Sequence, residues 1–150
     1  AERYRWMGER RYTFTAVLEV LTLKPRPAQL VIGDKKIIDD FSFIIACNTC
    51  HTGKGMKMAP KAILDDGKVD LVVIRYNVPR AKLLATLPKL FDGSHIHDPA
   101  VEYYQTDKFS LLPKHNETLN IDGELLGSTP IDVLVKKHAI QVYDRKQNSE

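Results

Sequence analysis

Several things are scarce in this sequence, and each shortage removes a class of function. Only two of the 150 residues are cysteine, too few for a disulfide framework. No second Cys-x-x-Cys and no histidine pair at zinc spacing accompanies Cys47-Asn48-Thr49-Cys50, so a structural zinc site is not supported. No apolar run approaches the length that crosses a bilayer, and no secretory signal is present; the expectation is a cytoplasmic domain. Lys and Arg exceed Asp and Glu only by 22 to 19, and they are scattered, so no nucleic-acid partner is expected. Gly53-Lys54-Gly55 lacks the spacing of a Walker A loop. Internal repeats and low-complexity segments are absent as well.

What is present is a single domain's worth of core, since 43% of the residues are hydrophobic. The patterning is mostly that of strands. Tyr12–Leu21 alternates and then turns apolar, reading as a strand, with a helix over Ala16–Leu21 as the other option. Lys24-Pro25-Arg26-Pro27 ends it. Gln29–Ile32 and Lys35–Asn48 form a hairpin through Gly33-Asp34, and Leu71–Ile74 is a buried strand. One main helix is predicted at about residues 79–92, capped by Asn77 and entered at Val78-Pro79, with Leu83, Leu84, Leu87, Leu90 and Phe91 on one face and Gly93 as its stop. Pro88 inside it predicts a kink or an early end. Val101–Gln105, Phe109–Leu112, Thr118–Ile121, Ile131–Val135 and Ala139–Tyr143 complete a mainly β chain, an antiparallel β-sandwich with that one helix.

Four patterns carry possible chemistry. Cys47-x-x-Cys50-His51 matches covalent haem attachment, with Met56 and Met58 near; in a strand, however, residues three apart point to opposite faces, which favours two reduced, packed cysteines. His95-Ile96-His97 offers two imidazoles to a metal if extended, and a surface loop after a helix is the commoner arrangement. Asp65-Asp66-Gly67 is a turn that is either solvated or able to hold a hard cation. Asp122-Gly123-Glu124, beside Leu119–Ile121 and Leu125-Leu126, is a tight turn with a carboxylate on each side; a carboxylate walled by apolar groups holds its proton more tightly and can serve as a general base.

In order along the chain, Tyr4–Thr13, Thr52–Pro60, Ala62–Asp70, Gly93–Ile96 and Asp122–Glu124 resemble the C-terminal part of the diacylglycerol kinase and sphingosine kinase superfamily of lipid kinases. The opening Tyr4-Arg5-Trp6-Met7-Gly8-Glu9-Arg10-Arg11 is most similar to the sphingosine (long-chain base) kinases. The resemblance implies a β-sandwich packed on an N-terminal nucleotide-binding α/β domain. It implies an ATP- and Mg²⁺-dependent lipid kinase, a lipid substrate, and transient contact with a membrane surface. It makes Glu124 the catalytic base, puts Asp122, Gly123 and Glu124 at the nucleotide, and gives Arg5 and Arg11 to the ATP phosphates. Asp66 with the carbonyls of Ile63 and Lys68 corresponds to a structural Mg²⁺ site. The Gly-Gly-Asp-Gly phosphate motif of such kinases does not occur here. The chain is therefore expected to be a fragment without kinase activity of its own, and a free-standing lipid- or partner-binding sandwich is the alternative.

Overall fold

A computed structural model describes residues 20–53 and 55–141. Within them run β1 (Arg26–Ile32), β2 (Lys35–Cys47), β3 (Val69–Arg75), helix α1 (Arg80–Thr86), β4 (Glu102–Thr106), β5 (Lys108–Pro113), β6 (Thr118–Ile121), β7 (Glu124–Ser128) and β8 (Ile131–Leu134). Six strands form one sheet in the order β4-β3-β2-β1-β5-β8, while β6 and β7 pair separately. Every pairing is antiparallel.

The order of the strands dictates the shape. β4 and β5 are joined by Asp107 alone, yet in the sheet they lie four steps apart, roughly 19 Å if the sheet were flat. One residue spans only about 3.5 Å, so the sheet has to curl until β4 runs directly into β5. The curl encloses Ala28, Leu30, Ile32, Ile37, Phe41, Val69, Leu71, Val73 and Phe109, with Tyr104, Ile131 and Val133 closing its sides. This is the expected antiparallel, sandwich-like architecture.

β2 serves both faces because it changes register midway. Ile37 and Phe41 point into the curl, and a bulge between Phe41 and Phe43 shifts the alternation so that Ile44 takes the inner face. Ser42, inside the bulge and buried, donates its hydroxyl to the carbonyl of Arg75. Phe43 is thereby released to the outer face, where it meets Ile74, Val78, Leu83 and Leu84. Burying Leu83 there is worth about 1.5–3 kcal/mol.

The helix is shorter than its apolar pattern. It begins at Arg80 after an extended Pro79, with no side-chain cap, so Asn77 does not cap it. Arg80 donates to the carbonyl of Leu23 across the outer face. The α-helix stops at Thr86 and tightens into a 3₁₀ turn over Leu87–Leu90 with Pro88 at its start, the early end that a missing N–H and a crowded Leu84 carbonyl require. Gly93 ends the segment at φ +82°. Phe91, placed by spacing on the apolar face, is exposed, because the change of helix type rotates it away.

Three strand boundaries also differ. Val20 and Leu21 are helical; the rest of the predicted first strand lies outside the described residues. Arg26 and Pro27 do not separate elements but start β1, paired with Phe41 and Asp40. Of the expected Ala139–Tyr143 strand, Ala139–Gln141 is not strand, and Val142 and Tyr143 lie outside the described residues. No helix among the described residues is long and apolar enough to cross a membrane.

Candidate functional site

The connection from β2 to β3, residues 48–68, is long but pinned at successive points. Thr52 and Met56 bridge across a turn in which Gly53 (φ +59°) and Gly55 (φ +83°) adopt left-handed backbone. That conformation costs other residues roughly 1–2 kcal/mol. Below this tip the Lys57 amide donates to the Leu90 carbonyl at 2.7 Å, and the Ala59 amide to the Cys50 carbonyl at 3.2 Å. His95 Nε2 stands 3.0 Å from the Met58 carbonyl. Gly93 lies so close that an added Cβ would sit 2.9 Å from Cβ of Pro60. The two separate sequence segments Thr52–Pro60 and Gly93–Ile96 are thus the two halves of one contact.

A third pin involves residues that sequence patterning passed over. Asp70 is 1% exposed and accepts from the Tyr103 hydroxyl at 2.5 Å and from Gln105 Nε2 at 3.0 Å. Tyr103 and Gln105 in turn hold the Lys61 backbone, its N–H donating to the Tyr103 oxygen and its carbonyl accepting from Gln105. Burial, reinforced by the Asp70 carboxylate, pushes the Tyr103 phenol well above its ordinary range. The available signal was a lone carboxylate in the apolar run Val69–Ile74, since a buried charge demands partners.

Two further charge clusters brace the ends. Asp98, almost fully buried, accepts from Lys89 at 2.9 Å and from Lys82 at 3.0 Å; these bonds, Lys89 first, hold its carboxyl well below the usual carboxylate range. Arg75 bridges Asp39 and Glu102, lowering both acids and raising its own proton affinity.

Cys47 and Cys50 are free thiols. Cys47 is the buried last residue of β2, opposite Asp70, and burial pushes its thiol up; Cys50 lies in the bend that follows. His95 and His97 share a 3₁₀ turn and no strand face. His95 is buried and His97 exposed, so neither the surface-loop reading nor a paired imidazole site describes His95.

In the Asp65–Lys68 turn, the Lys68 amide donates to Asp66 Oδ1 at 2.8 Å, and the Asp66 amide approaches the Ile63 carbonyl at 3.5 Å. The second carboxylate oxygen of Asp66 and the backbone carbonyls beside it are donors of the kind a hard cation takes. Among the described residues no three His, Cys, Asp or Glu side chains gather as a metal cluster, so carbonyl oxygens would have to complete any such set.

Asp122-Gly123 is the two-residue turn of the β6–β7 hairpin. Both residues have positive φ, +51° and +96°, and Asn120 Oδ1 accepts from the Gly123 amide. This is the backbone that hairpin twist selects. Glu124 opens β7 and is exposed, as are its neighbours, so apolar walls do not surround it among the described residues. Arg5, Arg11 and Lys54 lie outside the described residues.

A curled antiparallel sheet with a helix on one face and a two-stranded finger defines a sandwich-like lobe, and comparison with known proteins gives its family. A model of the YegS C-terminal NAD kinase beta sandwich-like domain matches residues 1–144, and the chain belongs to that family. A diacylglycerol kinase of Mycobacterium tuberculosis is 28% identical over 146 residues, which is 95% of this chain and 46% of that protein. Sphingosine kinase 1 of Arabidopsis thaliana is 31% identical over 98 residues, covering 61% of this chain and 20% of that protein. The crystal structure of a diacylglycerol kinase from Bacillus anthracis superposes with a TM-score of 0.71 at 17% identity, over 91% of this chain and 46% of that one. This last likeness is one of fold. The chain spans about half the length of the diacylglycerol kinases it matches.

Proposed function

We propose that this chain is the C-terminal lobe of an ATP-dependent lipid kinase that phosphorylates a lipid hydroxyl, on a sphingoid base or a diacylglycerol. The observation that carries the reading is the β6–β7 finger, which presents Asp122, Gly123 and Glu124 at an exposed tip on a base held by buried Thr129. Relatives named as diacylglycerol and sphingosine kinases support it.

In this reading Glu124 is the general base. As the lipid hydroxyl oxygen attacks the γ-phosphorus, its proton passes to the carboxylate, the new P–O bond forms, and the bond to ADP breaks. Arg5 and Arg11 neutralise phosphate oxygens, a task for which a guanidinium fork is suited. Phosphoryl transfer is mostly positioning and charge stabilisation, so a nucleotide-binding lobe has to complete the site and this chain alone is inactive. Mg²⁺ at Asp66, Ile63 and Lys68 would contribute rigidity to the turn before β3. Because the acceptor lies in a bilayer, the working protein touches a membrane surface from the cytoplasmic side.

The test is ATP-dependent phosphorylation of sphingosine and diacylglycerol by the full-length protein, with Glu124→Gln beside wild type. A loss of at least about a hundredfold is expected, the scale of general-base removal. Full-length wild type that phosphorylates neither lipid would overturn the reading in favour of a lipid- or partner-binding sandwich.

A further inference from the structure

The chain leaves β8 along a fixed path. The Val135 amide donates to the Asp107 carbonyl at 2.8 Å, and the Val135 side chain packs against the core. Two residues on, the Lys137 stem lies over Gly67, where an added Cβ would come within 3.2 Å of both Cβ and Cδ of the lysine. His138 then turns the chain at φ +56°, a backbone uncommon outside glycine. Val135–His138 is thus a strap across the turn that precedes β3. Gly67 serves it twice, since its own φ is +77° and any side chain there would meet the strap.

That turn is the one with oxygen donors for a hard cation. Asp65 is exposed and Asp66 half-buried. The Lys68 amide occupies Asp66 Oδ1 at 2.8 Å, which leaves Oδ2 to a cation. Two ammonium groups stand near the same carboxylates. Lys68 belongs to the turn itself. Lys137 is brought by the strap, its Nζ only two bonds beyond the Cδ that rests on Gly67. Lys61, earlier in the same loop, is drawn elsewhere, its Nζ lying 5.8 Å from the centre of the Tyr103 ring. With the strap down, two carboxylates therefore face two ammonium groups. A divalent cation added to that set leaves two charges in excess, and Lys137 is the charge that can leave, because it is exposed and its stem is long and flexible.

We propose that Lys137 gates the cation site of the Asp65–Lys68 turn: its ammonium stands in for a divalent cation while the strap is down, and a cation bound at Asp66 lifts it. The inference rests on the placement of Mg²⁺ at Asp66 made above and says what that placement has to displace. Coupling of this kind is reciprocal. A cation in the turn loosens Val135–His138, and a docked strap weakens the cation, so the metal content of the turn before β3 sets the position of the segment that follows β8.

Titration calorimetry of Mg²⁺ into the full-length protein, stripped with a chelator and free of nucleotide and lipid, tests this without reference to activity. Lys137→Met keeps an unbranched stem over Gly67 and removes the charge. It is expected to bind Mg²⁺ at least about threefold more tightly than wild type, because a unit charge within a Debye length of a divalent ion weakens its binding several-fold. Amide exchange on peptides covering 133–141 should quicken when Mg²⁺ is added to wild type and stay unchanged in Lys137→Met. Asp66→Asn, which keeps an acceptor for the Lys68 amide, should abolish both effects. Equal affinities in wild type and Lys137→Met, strap exchange indifferent to Mg²⁺ in wild type, or no binding to either protein would overturn the gate. Binding that survives Asp66→Asn would put the cation elsewhere and overturn the Mg²⁺ placement together with the gate. Tighter binding in Lys137→Met, in a full-length protein that phosphorylates neither lipid, would keep the gate and remove only the kinase reading.

Discussion

His95 Nε2 and the Met58 carbonyl, 37 residues apart in sequence, meet at 3.0 Å inside the protein. A carbonyl can only accept, so Nε2 carries the proton. Nδ1 is buried and without a hydrogen-bond partner among the described residues. His95 is 1% exposed, and its ring fastens the Thr52–Pro60 loop to the Gly93–His97 turn.

Removing that fastening should loosen the loop before the sheet. His95→Ala is expected to cost about 1–3 kcal/mol, the range for stranding a buried partner, and to speed amide exchange at Lys57 and Ala59 while leaving Leu71 and Val72 slow. His95→Gln, which can still donate to the carbonyl, should recover part of the loss. Unchanged exchange at Ala59 in His95→Ala would show that the other bonds suffice.

Gly93 tests the same contact from its other side. An alanine there meets both a φ of +82° and Pro60 at 2.9 Å, so Gly93→Ala should destabilise by more than the roughly 1–2 kcal/mol of left-handed strain alone. Gly33 makes the control: its φ is +57° with nothing near an added Cβ, so Gly33→Ala should show the strain without the collision. Denaturant midpoints for the two variants decide between them.

Tyr103→Phe removes one of two donors to buried Asp70 and the acceptor for the Lys61 amide. A loss of about 1–3 kcal/mol is expected. The Tyr103 phenol is raised in the folded state, so its contribution is present below the ordinary tyrosine range and fades as pH climbs above about 10. The difference in stability between wild type and Tyr103→Phe should therefore shrink at high pH.

The acid side has the opposite sign. Asp98, Glu102 and Asp39 are all depressed on folding. The unfolded chain then binds their protons more readily, and stability is lost as pH falls below about 4, the range in which free carboxylates protonate. Melting temperature should hold near neutrality and drop below that point. Replacing Lys82 and Lys89 together by Met should flatten the drop, since Asp98 would lose the cations that depress it.

Thiol labelling gives a quick check of the β2 end. Cys50 is partly exposed, whereas Cys47 is buried and its thiol raised; thiolate and access together set reactivity. One thiol should react with a disulfide reagent at least about tenfold faster than the other, and Cys50→Ser should abolish that fast phase.

Much of this was legible in the residues. The Gly33-Asp34 hairpin, the buried Leu71–Ile74 strand, the break at Pro88 and the Gly93 stop each follow from local chemistry. Asn77 and Phe91 failed because spacing assumes one unbroken α-helix, whereas the backbone enters it only at Arg80 and narrows to 3₁₀ after Thr86. His95 read as a surface residue because polarity is all that a short motif displays. At Asp122-Gly123-Glu124 the turn was legible, while the exposure of Glu124 and of the leucines beside it was not.

By itself the sequence determined the strand-rich class, the turns and the family, because each depends on short-range patterns: alternation, glycine at positive φ, proline without a donor. Tertiary structure alone decided which distant segments became partners. The pairing of β1 with β5 that curls the sheet, the Ser42 bulge bonded to Arg75 that turns Phe43 outward, and the bonds from His95 to Met58 and from Tyr103 to Asp70 all join residues far apart in the chain. Such pairings are set by what the closed sheet leaves room for, and local periodicity carries no record of that.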